Sequence, residues 1–135
     1  MYPEQPKIIM KRFLTLSILL TFLSSFTLFV GIDDVIAAMR IGNSSQVAKY
    51  FDNNIEISMP DKSNSYSKSQ AELVLKDFFA SNPVKGFEII HKGENAGSQY
   101  CIGTLQTRNG AYRTTIFMKQ KGDSKVLQEL RFENR

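Results

Sequence analysis

The stretch from Phe87 to Phe132 constrains this chain more than any other, because it reads as four consecutive β-strands. Its clearest signal is Asn109-Gly110, flanked by segments rich in Thr, Ile, Tyr and Phe. That dipeptide suits a two-residue type I′ hairpin turn, whose central residues both need φ > 0. With Asn109 and Gly110 as the loop, Arg108 pairs with Ala111 and the register follows. One face then carries Cys101, Leu105, Tyr112, Ile116 and Met118, and this is the predicted core face. The other carries Tyr100, Ile102, Thr104, Arg113, Thr115 and Phe117, with Ile102 directly opposite Phe117. That second face is half apolar, so it reads either as scattered surface hydrophobics or as a partner surface. Tyr100, Ile102, Arg113 and Phe117 are the candidate dimer residues.

The chain ahead of the strands supplies helices. Ser69-Gln-Ala-Glu72 fits a capping box, and Ala71, Val74, Leu75, Phe78 and Phe79 give a broad apolar face over Gln70 to Ala80. Asn82-Pro83 stops that helix. Further upstream, Asp33 is the expected N-cap of a helix with Ile32, Val35, Ile36 and Met39 on one stripe. Gly42 ends it, Asn43 or Ser44 caps a second short helix through Phe51, and Asp52-Asn53-Asn54 closes that one. Ile55 to Met59 alternates as a strand, Asn64 to Tyr66 can return as another, and Gly93 to Gly97 is read as a loop. Phe87, Ile89 and His91 fall on one side of their strand.

At 135 residues there is room for one domain. Met10-Lys11-Arg12 followed by the apolar run Phe13 to Val30 has the form of a secretory signal peptide. Ser25-Phe26-Thr27 offers small residues for cleavage after Thr27, and the alternative is an uncleaved membrane anchor. Residues 1–30 are therefore read as extension plus leader, and 31–135 as one exported domain, periplasmic or secreted. The net charge of +4 falls to +2 once Glu4, Lys7, Lys11 and Arg12 are set aside. No basic stripe remains, which argues against nucleic acid. Cys101 is the only cysteine, so no internal disulfide can form, and on a core face it reads as a small hydrophobe. No Cys/His spacing suits a metal, and no cofactor is expected.

The order helix, helix, short strand, long helix and four long strands resembles the nuclear transport factor 2-like (cystatin-like) fold, an α+β cone with helices on one face of a curved antiparallel sheet. More narrowly, Asn43 to Phe51 and Lys76 to Pro83 resemble domain-of-unknown-function family 4783, small exported bacterial proteins of that fold. The resemblance implies a fold and an address without an activity. In such folds the open end of the cone can hold a ligand or an acid/base site, for which His91, Tyr112, Tyr50 and Asp34 are the candidates. Each also has a plain structural reading: His91 as a solvated strand-end residue, Asp34 as a helix N-terminal charge, Tyr112 as packing with its hydroxyl at the rim. No motif spacing links them. The expected function is a non-catalytic module, binding a small apolar ligand or a protein partner and dimerising through the outer sheet face. The alternative is a metal-free cone-pocket enzyme, an isomerase, dehydratase or hydrolase.

Overall fold

A computed structural model describes Gly31–Arg135, which cluster as one compact unit; the leader assigned to Met10–Val30 lies outside the described residues. The elements are α1 (Ile32–Arg40), α2 (Ser44–Ala48), β1 (Phe51–Ser58), β2 (Ser63–Ser67), α3 (Lys68–Ser81), β3 (Val84–Asn95), β4 (Ser98–Thr107), β5 (Gly110–Lys121) and β6 (Ser124–Asn134). One six-stranded sheet runs β2-β1-β6-β5-β4-β3. Every pairing is antiparallel except that of β1 with β6, which is parallel. The α+β nuclear transport factor 2-like architecture is thus present, with one parallel seam that local sequence pattern does not announce.

The helices lie on the face that carries Cys101, Leu105, Ile116, Met118, Leu130 and Phe132, all fully buried. From α1 come Ile32, Val35, Ile36 and Met39, and from α3 come Ala71, Leu75 and Phe79. Val74 and Phe78 are only half-buried, at the margin of this core. Bulges in β1, β3 and β6 interrupt the ladders, and bulged strands bend. Among the described residues no helix is long and apolar enough to cross a membrane.

Several local assignments shift. The central turn is Arg108-Asn109, with Thr107 paired to Gly110. Gly110 takes φ 119°, while Asn109 is not in the left-handed region. Asn109 instead donates its side-chain amide to the Ser81 carbonyl and its backbone N–H to Thr107 Oγ1, tying the hairpin to the end of α3. The slip is two residues, an even number, so both faces keep their members; Tyr100 rather than Ile102 now faces Phe117. The capping box is Ser67 with Gln70, two residues before the expected Ser69 and Glu72. Gly31, not Asp33, is the N-cap of α1, and Asp33 pairs with Lys92 at 2.8 Å. Asn43 caps α2 by accepting from Gln46 N–H. Phe51 to Asn54 belong to β1 rather than to a helix end. The loop expected over Gly93 to Gly97 contracts to Ala96-Gly97, both at positive φ.

Two glycines seat aromatic rings across neighbouring strands. A Cβ on Gly103 would lie 2.3 Å from the buried Phe87 ring and 2.7 Å from the Glu88 carbonyl oxygen. Gly93 plays the same part for Tyr100 on the opposite face.

Asp52 ties two of the bulged strands together. Its carboxylate accepts from Lys121 Nζ (2.8 Å), Asn53 N–H (2.8 Å) and Gln128 Nε2 (3.2 Å). These bonds, that from Lys121 first, hold its pKa below the ordinary value against an opposing burial effect. A depressed folded-state pKa contributes stability that is present above the unfolded value, near 4, and lost as pH falls through the folded one. The wild type should therefore lose more thermal stability than Asp52→Asn between pH 5 and about pH 2.5. Parallel Tm-versus-pH curves for the two proteins would contradict this assignment.

Candidate functional site: the mouth of the cone

The narrow part of the cone is closed by fully buried side chains from α3 and the sheet, among them Leu75, Leu105, Ile116 and Phe132. Its mouth stays open. A cavity of about 450 Å³ lies between α3, the connection from β1 to β2, and the ends of β5 and β6. That volume is within the range of small-ligand sites. Its apolar wall is Met59, Pro60, Val74 and the rings of Phe78 and Tyr112. Asp61, Lys62, Asp77, Ser81, Asn82 and Asn134 supply the polar part.

The local fold explains why the wall is aromatic and the rim polar. Val74, Asp77, Phe78 and Ser81 recur at three- and four-residue spacing, one side of α3 turned toward the opening. Phe78 packs on Phe132 (ring centroids 4.5 Å apart) and meets Tyr112 edge-on (5.3 Å, 69°). Asn82, the C-cap of α3, donates its amide Nδ2 to the Phe78 carbonyl (3.1 Å). That bond turns its Oδ1 toward Tyr112, whose hydroxyl donates to it at 2.9 Å. Since a phenol has one proton, Tyr112 has only acceptor capacity left. Pro60 and Asp61 enter through a tight turn closed by Met59 N–H donating to the Lys62 carbonyl (2.7 Å).

Of the candidate site residues His91, Tyr112, Tyr50 and Asp34, Tyr112 alone lines this cavity. Tyr50 donates its hydroxyl to Asp34 (3.0 Å). Burial chiefly, and then the Asp34 carboxylate, pushes the Tyr50 phenol pKa up, so it stays protonated. His91 is not on the Phe87 side. The β3 bulge between Ile89 and His91 inserts Ile90 and reverses the alternation, bringing His91 opposite Ile102 on the outer face. There its Nε2 hydrogen-bonds Tyr100 Oη at 2.7 Å. Tyr100, Ile102, Thr115 and Phe117 are half-buried neighbours on that face, with Arg113 exposed beside them. Cys101 is buried, and burial raises its thiol pKa to about 11 despite the nearby Lys92 and Arg40 charges, so it is not a ready nucleophile.

Sequence reasoning did not single out Asp61, Lys62, Asp77, Ser81 or Asn134, and it read Asn82 only as a helix stop. Asp77 and Ser81 could have been found from their spacing with Val74 and Phe78. The residues on the β1–β2 connection and the C-terminal strand carry no local signal.

Residues 32–133 match the family described as Domain of unknown function (DUF4783). No curated protein matches the sequence significantly. The chain is similar to a DUF4783 family protein from Bacteroides ovatus ATCC 8483, at 29% identity and TM-score 0.73, over 76% of this chain and 93% of that one. It is similar also to the DUF4783 family protein BF1468 from Bacteroides fragilis YCH46, at 30% identity and TM-score 0.72, over 76% and 96% of the two chains. The protein Rd1NTF2_04 with long sheet shares the fold alone, at 19% identity and TM-score 0.56, over 75% and 94%. With residues 32–133 matched and the same fold in its relatives, this chain belongs to the DUF4783 family, on a nuclear transport factor 2-like fold.

Proposed function

We propose that this domain is an exported, non-catalytic binding module that takes a small ligand in the mouth of its cone. The observation that carries the reading is a cavity of about 450 Å³, part apolar and part polar, above an otherwise filled core. An acid/base enzyme needs titratable groups converging on one point, with a proton to move between them. Asp61, Lys62, Asp77 and Tyr112 all reach the cavity, yet among the described residues no hydrogen bond or ion pair joins any two of them. Tyr112 gives its proton to a neutral amide. The binding reading is therefore preferred to the enzymatic one.

The test is chemical-shift mapping with a fragment library. Bound fragments should move the amides of Phe78, Asn82 and Tyr112 together, and Val74→Trp, which puts an indole into the cavity, should abolish those shifts in a folded protein. Shifts scattered over the surface, or none from any fragment, would remove the reading.

Two further parts of the proposal concern address and assembly. Export rests on Met10-Lys11-Arg12 and the apolar run behind it; the protein from its native host should begin between Leu28 and Asp33 by N-terminal sequencing, and an intact Met10 start in a cytosolic fraction would exclude it. Assembly rests on the half-apolar outer face around Phe117, which we assign to a second copy of the chain.

A further inference from the structure

We propose that the ligand of the cone mouth is a small organic cation with a hydrocarbon body; this rests on the binding reading and narrows it to one chemical class. Three observations converge on it. First, Asp61 and Asp77 both line the cavity, and among the described residues neither carboxylate has an ion-pair partner. Lys62 is the one cation in the lining and offsets one of the two, which leaves a net negative mouth. Second, Tyr112 lines the cavity and its Oη has only acceptor capacity left, because Asn82 takes its proton and is itself fixed by the Phe78 carbonyl. Third, Phe78, Tyr112, Val74 and Met59 give apolar and aromatic surface beside those acceptors, which is what the hydrocarbon part of an ammonium ligand needs. An anion would meet two carboxylates against the one Lys62 ammonium, beside a hydroxyl that cannot donate. A neutral alcohol would satisfy the acceptors without drawing on the charge.

The experiment uses the full chain and three probes of nearly equal shape: phenethylamine, 2-phenylethanol and 3-phenylpropanoate, each titrated calorimetrically at low and high salt. Phenethylamine should bind about tenfold more tightly than the alcohol at low salt, the product expected of two exposed charge pairs worth roughly threefold each. The carboxylate should bind more weakly than either, and salt should narrow the preference. Asp77→Asn and Asp61→Asn should each reduce the amine-to-alcohol ratio severalfold, and the double variant should bring it close to one. Both sites are exposed, so the variants should fold. An alcohol or carboxylate that binds as well as the amine overturns the cation assignment while leaving the site intact, as does a preference that survives in the double variant. Failure of all three probes to bind, together with an empty fragment screen, overturns the site itself.

Discussion

Phe132→Ala is expected to destabilise the domain by about 3–5 kcal/mol, the range for truncating a buried aromatic side chain. Phe132 is fully buried on β6, where it pairs with the buried Thr114. Its ring packs against Phe78 at 4.5 Å and so forms the floor between the filled core and the mouth. The void left by truncation cannot collapse easily, because β6 is held by β1 on one side and β5 on the other. Phe78→Ala should cost less, since that ring is half-buried and its loss merely enlarges an existing opening. Phe78 shares the apolar face of α3 with Leu75 and Phe79, but its position at the margin hands the larger effect to Phe132. Urea melts of the two variants with unchanged m-values check the order, and a larger loss for Phe78→Ala would refute it.

Phe117→Arg is expected to convert a dimer into a folded monomer. Phe117 is half-buried opposite Tyr100, with Ile102 diagonal to it, and the Arg131–Glu129 pair (2.8 Å) lies on the adjacent strand. A two-fold axis through such a patch brings its apolar centre onto itself, while the mixed charges at its margin can meet opposite signs. An arginine at the centre would bury an unpaired charge, at a cost of roughly several kcal/mol. Light scattering should give twice the chain mass for the wild type and one chain mass for the variant, both with the same circular dichroism. A monomeric wild type would end the assignment.

The faces of the sheet were readable because strand alternation has a period of two, and the misplaced turn shifted the β4–β5 register by an even number. The turn itself was misread because Asn109 serves the Ser81 carbonyl, a contact 28 residues away, and not a left-handed backbone. The β3 bulge has no comparable signal in Ile89-Ile90-His91, and it alone moved His91 from the helix-covered face to the outer one. The capping box was ambiguous for a chemical reason: Ser67 with Gln70 and Ser69 with Glu72 both satisfy the same spacing. The mouth was least legible. It is assembled from a β1–β2 turn, one side of α3 and the last strand, which only the tertiary structure brings together.

The parallel seam between β1 and β6 also sets when the molecule can fold. The strands β3 to β6 meet through short turns, so their pairing closes small loops and can be fast. The Asp52–Gln128 bond beside the seam joins residues 76 apart, and closing that distance must wait until β6 has been made. Until Leu127, Leu130 and Phe132 have been synthesised, the apolar sides of α1, α3 and β1 have no complete sheet to cover. The core therefore stays open until β6 has joined β1, however early the helices form.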